Sequence, residues 1–230
     1  MVVMAAQRMH ARDLVAKYGG QYSHALGIDL ASGKSTEIYK WFLAAILFGA
    51  RISEKIAVNT YHEFEVAGVL TPQTVMDTGW DGLVEILDRG GYVRYDYKTA
   101  TKLLEVNKAL TESYAGNLNK LHAMAKDSAD LEEKIKGLGK GIGEITVNIF
   151  LREMRDIWLR AVPLPSELVI AAARDLRFIP GDMEDKLQIL KRLQTRWQKE
   201  GEGALVFADF EAALVKYGKI IRKKTQTGQH

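Results

Sequence analysis

Apolar residues recur every three to four positions along almost the whole chain, and no stretch alternates apolar and polar residues as a half-buried strand would. The pattern predicts helices over about 4–18, 36–50, 53–67, 95–114, 118–125 and 144–158, with shorter ones opening at Thr71-Pro72 and covering 80–88. Ser128 is placed to cap a helix whose buried stripe is Leu131 and Ile135, and Ser166 one that runs to about Arg174. Asp182 or Glu184 starts a helix ending near Gly201, a last helix covers 204–221, and the nine residues after it read as frayed. The 36–50 segment is apolar on nearly every face, which puts it at the centre of a bundle. Residues 20–35 form a Gly/Ser-rich connector, and all four prolines (Pro72, Pro163, Pro165, Pro180) fall between apolar runs. The expected fold class is all-α.

The 230 residues fit one large domain or two closely packed small ones, since a domain takes roughly 100–200 residues. At 47% hydrophobic and 27% charged residues the chain is ordinary for a globular protein. Cysteine is absent, which excludes disulfides, thiol nucleophiles, iron–sulfur clusters and cysteine-held zinc. The five histidines (His10, His24, His62, His122 and His230) are never spaced i, i+4, so no histidine-built metal site is expected. The longest apolar run, Trp41–Ala50, has ten residues, against the ~20 of a bilayer span. Met1–Met9 lacks the basic n-region of a signal peptide. The expectation is a soluble cytoplasmic protein (nucleoid-associated if the source is prokaryotic) with no membrane partner. Net charge is +3 but uneven: residues 186–230 carry +6 and the rest −3, which permits an anionic partner.

Ile28–Ser35 (IDLASGKS) ends like a phosphate-binding P-loop, but Ile28 stands where the motif needs its first glycine, and no strand precedes it. The segment 128–151 carries more chemistry. It pairs two helices across a turn in which Gly137, Gly139, Gly141 and Gly143 alternate. Gly141 and Gly143 are expected to let the backbone turn sharply and approach another surface, with Ile142 plugged between the helices. The amides beyond Gly141 would then open toward an anion such as a DNA phosphate, and Lys136 and Lys140 add positive charge. Glu144, in the first helical turn, suits the helix dipole but opposes a phosphate.

This hairpin resembles the helix-hairpin-helix of endonuclease III-class DNA glycosylases, which reads Leu-Pro-Gly-Val-Gly before a Thr-Ala pair. Phe42–Ser53 is similar to the early buried helix of that class and the loop after it. Gly91–Lys98 looks like the Gly-x-Tyr-x-x-Lys entry to its long helix, and about residues 36–176 follow its order. The resemblance implies a two-lobed helical fold. One lobe would be 33–158, ending in the hairpin, and the other 1–32 with 159–230. It implies a monomer acting on double-stranded DNA that carries a damaged or mismatched base, which it flips from the duplex so that the N-glycosidic bond is hydrolysed. Arg51 matches the position from which relatives fill the gap left by the base, and Tyr95 and Tyr97 could stack on the extruded base.

The sequence also departs from the class. Base removal passes through an oxocarbenium-like state that a carboxylate stabilises. No aspartate occupies the expected turn, Val162–Glu167. Glu167 is the nearest carboxylate and Asp156 the next; their plainer roles are a first-turn helix acid and a helix-end salt bridge. Ile145 stands where bifunctional relatives carry the Schiff-base lysine, so strand cleavage from that position is excluded. The cluster-binding cysteines are missing too; the helices at 182–200 and 204–221 could replace that element, with Lys191, Arg192, Arg196, Lys216 and Lys219 along the DNA backbone. The expected function is thus a monofunctional glycosylase, which needs no cofactor. The alternative is a damage- or structure-recognising DNA-binding protein that has lost the chemistry, and a third reading is a helical adaptor with a coincidental hairpin.

Overall fold

The computed structural model describes residues 9–228. The helices are α1 (Ala11–Tyr18), α2 (Tyr22–Ala25), α3 (Ser35–Phe48), α4 (Glu54–Val66), α5 (Pro72–Arg89), α6 (Asp96–Tyr114), α7 (Leu118–Met124), α8 (Ser128–Lys136), α9 (Glu144–Glu153), α10 (Glu167–Asp175), α11 (Lys186–Glu200) and α12 (Phe207–Thr227). No strand occurs among the described residues, so the fold is all-α. No helix among them is long and apolar enough to cross a membrane. The chain divides into two compact units: residues 26–163 form one, and residues 1–25 with 164–230 the other.

In the 26–163 unit α3 is the hub. Its residues from Trp41 to Leu47 are all buried, as the all-round apolar pattern predicts. The Trp41 indole donates to the Phe150 carbonyl at 3.0 Å. That carbonyl lies in the last turn of α9, where no helical amide follows to serve it. Phe150 packs edge-on against Phe42 and Trp158, with ring centres 5.1 and 5.4 Å apart. A second buried tie joins α3 to α6. Tyr39 donates to Asn107 Oδ1 at 2.7 Å, and Asn107 Nδ2 donates to the Leu103 carbonyl.

The other unit is built around α12. Trp197 of α11 stacks on Phe210 at 5.6 Å, and Leu14, Val169 and Phe178 complete its core. Asp209 joins the N-terminal segment to this core, because its carboxylate accepts from the Gln21 and Val206 amides.

Several local expectations shift. The stretch 72–89, by contrast, keeps the two expected short helices, which abut at a kink at Gly79 (φ 69°, ψ 177°) and share the label α5. Asp127, not Ser128, caps α8, because its carboxylate reaches the Asp130 amide. Asp185 caps α11 in the same way. Ser166 precedes α10 without a capping bond, and its hydroxyl is buried without a partner. The helix after the glycine turn stops at Glu153, short of Trp158, and continues as tight turns on the Met154 carbonyl. Helix α12 does not fray at 222; its anchored core end propagates through the good helix formers Arg222–Lys224 to Thr227. The connector holds the one-turn α2 and a 3₁₀ turn at Leu30–Ser32 closed by the Asp29 carboxylate, so the GKS tripeptide follows a polar turn rather than a strand. The expected start of the first helix at Met4 lies outside the described residues.

Trp41→Phe strands the Phe150 carbonyl in an apolar interior, so urea unfolding should show a loss of about 2 kcal/mol. His122 stacks on Trp158 (4.8 Å, 3° between planes) with its Nε2 buried and unpartnered. Burial, and then the Arg160 charge, push its pKa below the ordinary 6.5. The unfolded chain therefore binds this proton more readily than the folded one. Stability should be fully present above pH 6.5 and fall as pH drops below it, and His122→Gln should flatten that limb in denaturation curves at stepped pH.

Candidate nucleic-acid interface

The glycine turn 137–143 lies directly on α6. A Cβ at Gly139 would stand 2.7 Å from Val106 Cγ2, and one at Gly141 2.9 Å from Lys102 Cε. Val106 and Lys102 are one helical turn apart, so the turn runs along α6 rather than across it. Gly141 also sits at φ +92°, a region that favours glycine. Gly143 differs from the expectation: its backbone is extended (φ −100°, ψ −179°) and open space surrounds it. The close approaches are therefore at Gly139 and Gly141. Ile142 is buried as expected, but its amide donates to the Gly139 carbonyl at 3.2 Å and closes the turn. Any anion would meet the first-turn amides of α9 instead, where Gly143 supplies no side-chain cap.

A third close approach links this turn region to α3. A Cβ at Gly49 would run into the Thr146 side chain in the first turn of α9. The loop carrying Arg51 is thereby held beside the glycine turn.

The result is a groove of about 840 Å³ lined by Gly49–Arg51, by α6 from its entry at Tyr95 to Glu105, and by Lys140 and Gly141. It gathers five residues that the sequence singled out: Arg51, Tyr95, Tyr97, Lys140 and Gly141. It adds Lys98, which the sequence marked only as the end of the Gly91–Lys98 entry segment, and Lys102, one turn further along α6, which sequence reasoning missed. Among the described residues none of Arg51, Lys98, Lys102 and Lys140 has an ion-pair partner, and Glu105 is the one carboxylate in the lining. Burial alone lowers the Lys102 pKa, with no acid to offset it. A partly dry ammonium of this kind gains from a bound anion.

The remaining candidates lie elsewhere. Lys136 is hydrogen-bonded to Glu133 at 2.9 Å, which holds its pKa above the lysine norm, and Glu144 and Glu132 add to the shift. Its charge is matched locally. Tyr92 is core, with its hydroxyl on the Leu47 carbonyl. Asp156 is exposed in the turns after α9. Glu167 belongs to the other unit, where it opens α10, exposed, with Lys186 Nζ 2.8 Å away. In that unit Lys191, Arg192, Lys199 and Arg196 line a smaller groove of about 460 Å³. Arg196 is tied there to Glu200 and the Phe178 ring. Lys216 donates to the Gly20 carbonyl and Lys219 to the Tyr22 hydroxyl, so both are engaged internally.

Against known proteins, the chain matches no family model, no curated protein and no solved structure.

The glycine geometry makes a differential prediction. Gly139→Val forces a branched side chain against Val106 and should destabilise by about 1–3 kcal/mol. Gly143→Ser has room and gains a cap, so its stability should stay within about 0.5 kcal/mol of the parent or exceed it. Parallel thermal melts of the two variants check this.

Proposed function

We propose that this chain is a DNA-binding protein that recognises damaged or irregular duplex DNA on a helix-hairpin-helix scaffold resembling that of the endonuclease III class. The observation that carries this reading is the groove of the 26–163 unit: four cations without ion-pair partners beside two tyrosines and a close-packed glycine turn. Cations on a groove wall neutralise backbone phosphates, and aromatic rings accept bases. In this reading Lys140 and the first-turn amides of α9 take phosphates, Lys98 and Lys102 line the strand's path, and Arg51 reaches toward the base stack.

A second reading is the monofunctional glycosylase, which would hydrolyse the N-glycosidic bond of the flipped base. What favours it is that the three segments carrying the resemblance, 42–53, 91–98 and the hairpin, all contribute to one groove. Its chemistry would rest on Glu167 or Asp156. Both are exposed and Glu167 is paired with Lys186, whereas a carboxylate acts most strongly on a developing cation when water is excluded. That contrast places binding first.

Duplex affinity measured by fluorescence anisotropy across a salt series should fall steeply with salt. Lys102→Gln with Lys140→Gln should weaken it and reduce the slope of log affinity against log salt by about 2. Salt-independent or absent binding would sink the reading. Incubation with duplexes holding uracil, hypoxanthine, 8-oxoguanine, alkylated purines, oxidised pyrimidines or mismatches, followed by alkali, decides the second reading. Alkali-dependent cleavage lost in Glu167→Gln or Asp156→Asn establishes the glycosylase; no product on any duplex leaves recognition alone.

A further inference from the structure

Trp80 stands out among the four tryptophans. Trp41, Trp158 and Trp197 are buried, while Trp80 is 39% exposed. It follows the Gly79 break in α5, where the backbone leaves helical geometry and restarts. Its indole N–H donates to the Thr101 hydroxyl at 3.1 Å, and that hydroxyl donates to the Tyr97 carbonyl at 2.9 Å. The ring is therefore oriented from within the fold, and its polar edge needs no solvent. It packs at 5.2 Å and 40° against Tyr97, itself 60% exposed. Tyr97 and Thr101 both line the basic groove, next to Lys98 and Lys102.

From this arrangement we infer that the Trp80–Tyr97 pair is a stacking platform for an unpaired nucleotide, so that the groove takes DNA containing a single-stranded stretch. The inference rests on the reading of the groove as a DNA site and adds the class of DNA. In a paired duplex each base face is covered by its neighbours; only a base that has left the stack can lie on an exposed ring. Base–ring stacking is tolerant of sequence, because every base has a π-face. The neighbouring cations would hold the backbone of the strand whose base is stacked. Tyr97 then serves as an outer platform rather than the wall of a base pocket.

The buried state of the other three tryptophans makes the test direct. The full-length chain is titrated with a thymidine homopolymer about 12 nucleotides long and, separately, with a blunt, fully paired duplex, while indole emission and anisotropy are followed. The single strand should quench the emission and the paired duplex should not. Trp80→Phe should abolish the quench and keep most of the affinity. Trp80→Ala should weaken single-strand binding roughly tenfold and leave duplex binding unchanged. Thermal melts confirm that both variants fold, as an exposed position allows. Salt-sensitive duplex binding without any response to the single strand overturns the inference and leaves the DNA reading standing. So does equal quenching by both probes, or an equal loss on both in Trp80→Ala. Binding of neither probe removes the DNA reading and the inference with it.

Discussion

The contact on which the 26–163 unit's groove depends is backbone against helix: the glycine turn lying on α6 at Val106 and Lys102. Helices of nine and ten residues such as α8 and α9 are too short to persist alone in water. They are held by burying Leu131, Ile135, Ile142 and Phe150, and the turn between them must therefore sit where those side chains place it. A side chain at 139 would lift the turn from α6, while one at 141 would displace the end of Lys102 and strain the backbone at φ +92°. The same contact sets the electrostatics. By covering Lys102 it dries the ammonium, and by fixing Gly141 it brings Lys140 to the same groove. Packing and charge here have one cause.

Some cations elsewhere in the chain are matched. Lys40 pairs with Glu37, Arg89 with Glu63, Lys134 with Asp130 and Lys136 with Glu133. Surface pairs of this kind contribute little stability individually, but they leave no local excess of charge. In the groove four cations, none with an ion-pair partner among the described residues, face one carboxylate. With a net charge of only +3 the chain as a whole exerts a weak field, and at physiological salt that field is screened within about 8 Å. Attraction for an anion is thus a local property of the groove, and it acts at contact range.

Some of this was legible in the sequence. The all-round apolar 36–50 segment marked the hub, and the alternating glycines marked the turn, because both signals are local. Three features were not. The sequence shows four glycines but neither their φ angles nor what lies above them, so the demand fell on Gly143 when the close approach is at Gly139. Lys98 and Lys102 look like any wet helix face until the turn covers one of them. Lys136 reads as a free flanking charge, although Glu132 and Glu133 stand one turn before it on its own helix; only Glu144 is brought to it by the folded hairpin. Trp80 read as the first residue of a short helix; that its indole is oriented by Thr101, twenty-one positions away, is a tertiary fact.

The sign of the groove's charge bears on which chemistry suits it. Breaking a glycosidic bond builds positive charge on the sugar, and an active site for that step supplies a carboxylate nearby. A groove of unpaired lysines and an arginine opposes such a cation unless bound phosphates neutralise them first. In the proposed reading the same residues would favour the ground-state anion, the DNA backbone, at every stage of binding. An interaction that strengthens binding of substrate and transition state alike raises affinity without accelerating the reaction. In the proposed reading the lysines are placed for phosphate and the groove is organised for holding DNA, and base excision would find only Glu105 as a carboxylate in the groove's own lining.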